Sequence, residues 1–317
     1  MKKHLGIAAA VGIGAAAITA AAVHGYLDVM YKETIPPSIF KRIANKNGFE
    51  GSDAFAEFTH ENCKWIEQQD IEIIDMKNAD GFVLKGYYLP AEKETDKFVL
   101  FAHGYRADHN GDPANFERFY HEQGYNFMSV DHVTAGDSEG DFLGFDYFEA
   151  RDFLQWVDYL VNRFGENIKI VLHGVSMGGA TVCKTASAVP PQVKVIVSDC
   201  AYTGAVDEFA EVAKGVGVSK ITPLILKVFN AMNKRLARFD LKETDVRESV
   251  KNARVPMLFV HGSADKFVPT KMCYELYDIC TAPKDMLIVD GAFHAQSIMV
   301  NGDLYKAKLK EFLGKYI

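Results

Sequence analysis

The sequence predicts an α/β fold, a mostly parallel eight-stranded sheet flanked by helices. Three observations predict it. Short apolar runs alternate with helical segments over most of the chain, and right-handed crossovers turn that alternation into a parallel sheet covered on both faces. Runs such as Phe98 to Ala102 are continuously apolar, as a strand buried on both sides should be. One run, Asn167 to Leu172, leads into the turn Gly174-Val175-Ser176-Met177-Gly178, after which small residues open a helix.

With 317 residues, 48% of them hydrophobic and 24% charged, the chain accommodates one large domain and an appendage. The net charge of −7 gives no reason to expect a nucleic-acid partner. The appendage comes first. Met1-Lys2-Lys3-His4 precedes Leu5 to Val23, an uncharged, alanine-dominated stretch of 19 residues, long enough to cross the hydrocarbon core of a bilayer. Lys2 and Lys3 favour an N-inside orientation, with the body of the protein outside the cytoplasm. The expectation is an uncleaved signal-anchor over residues 1–23. Two alternatives stand beside it: cleavage at Ala20-Ala21-Ala22, which would release a secreted protein, and an alanine helix buried within the domain. The five cysteines are odd in number and lack CxxC spacing, so neither a metal site nor a disulfide framework is suggested. Cys183 and Cys200 read as core filler.

Residues 24–60 are poorly periodic and broken by Pro36-Pro37, which predicts a juxtamembrane connector with short helices, ahead of a domain over 61–317. Ile71 to Met76 and Phe82 to Leu89 alternate around an Asp80-Gly81 turn, an antiparallel hairpin. Strands follow at Phe98 to Ala102 and Tyr125 to Val130, with a helix over 113–123 between them. Tyr147 to Phe164 carries Phe153, Trp156, Val157 and Leu160 at helical spacing. Val193 to Ser198 is the strand after the turn at Ser176. Residues 201–253 carry no strand. The sheet resumes at Val255 to Val260 and ends at Met286 to Val289, with helices over 270–280 and 303–316.

In the turn at Ser176, a strand that reverses sharply into a helix leaves no room for a Cβ at Gly174 or Gly178. The serine hydroxyl then stands at the top of the turn, beside the Met177 N–H and the helix N-terminus. A serine hydroxyl needs an adjacent base, itself oriented by a third group. Asp265 and His294 follow in the order this architecture requires, each just after a strand. Asp199 also follows a strand and is a rival acid. His103, His173 and His261 each end a strand next to glycine and read as structural. The second oxyanion donor should lie after the strand ending at Ala102, and the Tyr105 N–H fits, with Gly104 allowing close approach.

Together, Phe101-Ala102-His103-Gly104, Asp131 with Gly136-Asp137-Ser138-Glu139-Gly140, Gly174 to Gly179, His261 to Pro269 and Gly291-Ala292-Phe293-His294 resemble the α/β-hydrolase superfamily. The resemblance extends over about residues 65–317. It is nearest to the serine aminopeptidase (S33)-like and Bem46-like hydrolases, particularly their membrane-linked or exported bacterial versions. It implies the α/β-hydrolase fold, with Ser176, Asp265 and His294 as a catalytic triad and Tyr105 and Met177 as oxyanion donors. Val133 stands where such proteins often carry an arginine, which puts local packing in question but not the chemistry.

In that superfamily a cap is commonly inserted where residues 201–253 lie. Thr222-Pro223 starts a helix whose apolar stripe includes Ile225, Phe229 and Leu236. Its other face carries Lys220, Lys227, Lys234, Arg235 and Arg238. No Asp or Glu occurs between 219 and 239, so five positive charges against a total of −7 leave −12 on the rest of the chain. This face reads either as a solvated cap surface or as one that rests on anionic lipid. The expected function is hydrolysis of a small-molecule carboxylic ester through an acyl-enzyme, with no cofactor and no metal. A peptidase, acyltransferase or thioesterase is the alternative among enzymes, and an inactive binding protein the alternative outside them.

Overall fold

The computed structural model describes residues 20, 22–23, 25–27, 29–30, 52–215 and 217–317. Eight strands form one sheet: β1 Glu72–Lys77, β2 Val83–Leu89, β3 Lys97–Ala102, β4 Asn126–Val130, β5 Lys169–Val175, β6 Val193–Asp199, β7 Met257–Gly262 and β8 Lys284–Val289. Their spatial order is β1-β2-β4-β3-β5-β6-β7-β8. The hairpin β1–β2 and the β2–β4 pair are antiparallel, and every other pairing is parallel. The central strands are buried along nearly their whole length, which is why they read as continuous apolar runs rather than as alternating ones.

Two apolar cores lie on the two faces of the sheet. One gathers Leu100, Met128, Trp156, Ile170 and Ile196. The other gathers Phe101, Tyr120, Phe127, Val171 and Tyr305. Helix α1, Ser52–Ile66, crosses the expected domain start at residue 61. Its Asn62 amide donates to Asn115 Oδ1 at 2.9 Å, and the Asn115 amide donates to Thr59 Oγ1 at 3.1 Å, tying it to α2, Ala114–Glu122. Helix α3, Tyr147–Phe164, buries Phe153, Trp156, Val157 and Leu160, its predicted stripe.

The expected anchor over residues 1–23 and the connector over 24–60 lie mostly outside the described residues. The described positions between 20 and 30 are helical. Ala22, Tyr26 and Met30 are buried in the same core as the sheet. Among the described residues, no helix is long and apolar enough to cross a membrane.

Between β6 and β7 the chain forms helices α5 Ala205–Gly215 and α6 Thr222–Leu236, a 3₁₀ turn at Leu241–Thr244 and a short helix, Arg247–Lys251. Pro223 occupies the first turn of α6, where its missing N–H costs nothing. The described residues of the expected cap thus contain helices and no strand.

Candidate active site

The parallel strands point their carboxyl ends to one edge of the sheet, and the candidate residues collect there. Ser176 sits between β5 and the following helix, α4 Met177–Thr185, with φ 56° and ψ −118°, a left-handed backbone that non-glycine residues seldom adopt. Its neighbours explain how the turn tolerates this. A Cβ on Gly174 would lie 2.1 Å from the Gly178 carbonyl oxygen, and one on Gly178 would lie 2.0 Å from that of Ala102. Only glycine at both positions lets strand, turn and helix pack so closely. The Ser176 N–H donates to the Asp199 carbonyl at 2.8 Å, which fixes the turn against β6.

Ser176 Oγ lies 2.8 Å from His294 Nε2, and His294 Nδ1 lies 2.7 Å from Asp265 Oδ2. All three residues are buried. Asp265 is held from several sides: the Phe267 and Val268 N–H groups each donate to Oδ1 at 3.0 Å, and His261 Nε2 lies 3.1 Å from Oδ2. Burial alone would raise this carboxyl, but His294 and His261 outweigh it and hold the group at about 2. An ionised Asp265 accepts from His294 Nδ1–H and so leaves Nε2 with a lone pair facing the serine hydroxyl.

Asp199, the rival acid, faces elsewhere. Its Oδ2 accepts from Tyr305 Oη at 2.9 Å, and burial pushes its carboxyl up to about 6. His173 lies between two tyrosine hydroxyls, 3.0 Å from that of Tyr120 and 3.3 Å from that of Tyr305. His103 Nδ1 lies 2.7 Å from the Gly104 carbonyl, and its Nε2 accepts from the His132 N–H at 3.1 Å, which joins the loops after β3 and β4.

The two expected oxyanion residues flank the serine. Met177 is the first residue of the helix after it and is fully buried. Tyr105 follows Gly104, where an added Cβ would stand 3.3 Å from Ser176 Cβ and 2.8 Å from Asp112 Oδ2. Asp112 is a neighbour that sequence reasoning did not single out. It accepts the Gly104 N–H at 2.7 Å, and burial raises its carboxyl above the usual range. The only sequence signal was its place in a Gly-Asp-Pro turn ahead of α2. Val133 is buried and packs beneath Gly140, where a Cβ would meet Val133 Cγ2 at 2.3 Å.

The cap reaches the site through aromatic contacts. Tyr105 stacks on Phe145 with centroids 5.5 Å apart, Phe145 meets Phe209 of α5 at 4.9 Å, and Phe209 meets Phe229 of α6 at 5.9 Å. Phe229 in turn meets Tyr26 at 5.7 Å, and Tyr105 Oη donates to the Val29 carbonyl at 2.9 Å. The N-terminal helical residues therefore complete an apolar wall that starts beside the serine.

Cys200, Asp265 and His294 offer ligand atoms within 4.8 Å of one another. Asp265 and His294 already spend these atoms on each other and on Ser176, so a cation there would have to break the line from serine to aspartate.

Comparison with known proteins finds hydrolases. Residues 93–240 match the family model described as serine aminopeptidase, S33, and residues 228–294 match the one described as serine hydrolase (FSH1). The chain is 24% identical over 302 residues to the uncharacterized protein YqkD of Bacillus subtilis (strain 168), covering 94% of this chain and 93% of that one. It is 25% identical over 262 residues to human monoglyceride lipase, covering 72% of this chain and 84% of the lipase. Among solved structures, the Pyrococcus furiosus esterase Pf2001 superposes with a TM-score of 0.62 at 20% identity, over 78% of this chain and 91% of that one. That likeness shows the α/β-hydrolase fold.

Proposed function

Because this chain is an S33-like α/β-hydrolase, and so a hydrolytic enzyme, we propose that it cleaves carboxylic esters through an acyl-enzyme formed on Ser176. The observation that carries the reading is the continuous hydrogen-bonded line from Ser176 Oγ through His294 to Asp265. Ser176 Oγ attacks the ester carbonyl while His294 Nε2 takes its proton. Asp265 holds the Nδ1–H tautomer and stabilises the imidazolium that forms. The developing oxyanion is received by the N–H groups of Tyr105 and Met177. His294 then protonates the departing alcohol, and water repeats the sequence to release the acid. The apolar wall from Tyr105 to Phe229 suits an apolar acyl or alcohol group.

A second reading, amide hydrolysis, is favoured by the serine aminopeptidase description of the matched family model. One panel decides between them: p-nitrophenyl esters of increasing chain length beside amino-acid arylamides. Ester turnover exceeding arylamide turnover by orders of magnitude supports the esterase, and the reverse overturns it.

The same reading places the protein at a membrane, anchored through its N-terminal stretch with the catalytic domain outside the cytoplasm. Lys2 and Lys3 ahead of the apolar run support this orientation. Ala22 is buried with Tyr26 and Met30, so the span would be Leu5 to Ala21, about 17 residues, at the short end of what crosses a bilayer. That burial also favours retention of the segment over cleavage at Ala20-Ala21-Ala22. Full-length protein in a salt-washed membrane pellet, digested by protease added to intact wall-stripped cells, supports the anchor. A soluble chain beginning near Val23 would replace it with the secreted form.

A further inference from the structure

The outer face of α6 has no role in the chemistry above, and its composition is unlike the rest of the chain. Lys220, Lys227, Lys234, Arg235 and Arg238 are all exposed. Lys234 pairs with Asp240 at 2.6 Å, and no acidic residue lies between 219 and 239 in a chain of net charge −7. One apolar residue, Leu224, stands on the same outside surface and is 42% exposed. The inner face is spoken for, since Phe229 and Asn233 are buried.

The inner face is covered partly by chain from the N-terminal side. The described residues between 20 and 30 pack along this same helix. Tyr26 meets the Phe229 ring edge-on and donates to Asn233 Oδ1 at 3.2 Å, and a Cβ on Gly25 would lie 3.5 Å from Phe229. The alanine-rich apolar run from Leu5 to Thr19 lies outside the described residues, and the chain enters the described structure beside α6.

We propose that the outer face of α6 is a docking surface for an anionic phospholipid bilayer. The exposed lysines and arginines sit at the headgroups, and Leu224 enters the interface. Contact there sets the cap, whose aromatic side chains run to Tyr105, against the lipid, a source of acyl esters. The inference builds on the membrane location proposed above, but its signature is charge preference, which an apolar anchor alone does not give.

The test is vesicle flotation of the full-length protein on phosphatidylcholine with and without phosphatidylglycerol. Each basic side chain at an anionic surface strengthens binding by about fivefold. The triple variant Lys220→Gln, Lys227→Gln, Arg235→Gln should therefore lose on the order of a hundredfold in preference for the anionic vesicles at low salt. Binding to neutral vesicles and hydrolysis of a soluble short ester should be unchanged, which also shows that the variant is folded. The charge-conserving variant Lys220→Arg, Lys227→Arg, Arg235→Lys should keep the preference, and Leu224→Ser should weaken binding severalfold. Equal binding of wild type to both vesicle types overturns the proposal, as does an anionic preference that survives the triple substitution. Binding to dextran sulfate as tight as to anionic vesicles, unaffected by the Leu224 change, would make the face a general polyanion site and overturn the lipid assignment. If wild type floats with neither vesicle type, the membrane location fails as well.

Discussion

Replacing Asp265 by asparagine separates the assigned acid from its rival, because the two carboxylates have different partners. Asparagine can keep its carbonyl oxygen towards the Phe267 and Val268 N–H groups, which now donate to Oδ1 at 3.0 Å each. Its amide NH₂ then faces His294 Nδ1 in place of an acceptor. His294 must present Nδ1 as the acceptor and carry its proton on Nε2, where Ser176 needs a lone pair. The wrong tautomer costs about 10⁴ in kcat in the best-studied serine protease, which is about 5 kcal/mol of transition-state stabilisation. A separate cost falls on folding. The wild-type carboxyl is held at about 2 against an ordinary 3.8. A depressed carboxylate contributes stability fully above its ordinary value and loses it as pH falls towards about 2. The contribution at neutral pH is about 2 kcal/mol. Asp199→Asn, by contrast, keeps an acceptor for Tyr305 Oη and leaves His294 untouched, so its kcat should stay within about tenfold of wild type. The assay is steady-state hydrolysis of a p-nitrophenyl ester, with circular dichroism to verify that both variants are folded. A folded Asp265→Asn enzyme near wild-type activity beside a crippled Asp199→Asn enzyme would refute the assignment.

Two further outcomes follow from the packing. Gly104→Ala brings a Cβ to 2.8 Å from Asp112 Oδ2 and 3.3 Å from Ser176 Cβ, so the loop bearing Tyr105 must shift; kcat should fall by about tenfold or more while KM changes little, and unaltered kcat would remove Tyr105 from the oxyanion site. Glu117 of α2 is buried, and burial pushes its carboxyl from 4.5 up to about 8. A raised carboxyl favours folding below its ordinary value and loses that advantage as pH rises towards about 8, so Glu117→Gln should stabilise the protein by up to about 3 kcal/mol at pH 7 and by almost nothing at pH 4, read by urea unfolding at the two pH values.

The strands and the turn at Ser176 were legible because they follow local rules. Largely apolar runs marked β3, β4, β5, β6 and β7, and glycines at 174 and 178 marked a turn where backbone crowding forbids a side chain. Asp265 and His294 were legible by chain order, since each lies in the loop after a strand of a parallel sheet and so must arrive at the same edge. What the sequence could not show depends on distant partners. Asp112 comes to Gly104 only because the loop folds back, and nothing in Gly111-Asp112-Pro113 specifies that hydrogen bond. Helix α1 was hidden in the expected connector because it carries Phe58, Asn62 and Trp65 among many charged residues, and it is held through Asn62 and Asn115 rather than by a wide apolar stripe. Tyr26 and Met30 read as connector residues, yet both are buried, because α6 and the loop at Leu143 supply partners far away in sequence; the Leu143 N–H donates to the Met30 carbonyl at 2.8 Å.

The central claim is that Ser176 is the nucleophile of a serine hydrolase, and covalent labelling tests it most directly. A fluorophosphonate reacts with a serine hydroxyl that an adjacent base has activated. Wild-type protein should become labelled in a single tryptic peptide, with the added mass on Ser176, and ester hydrolysis should disappear in step with labelling. Ser176→Ala, folded as wild type by circular dichroism, should take up no label and show no turnover above background. Label retained by Ser176→Ala, or found on a different residue of the wild type, would contradict the account.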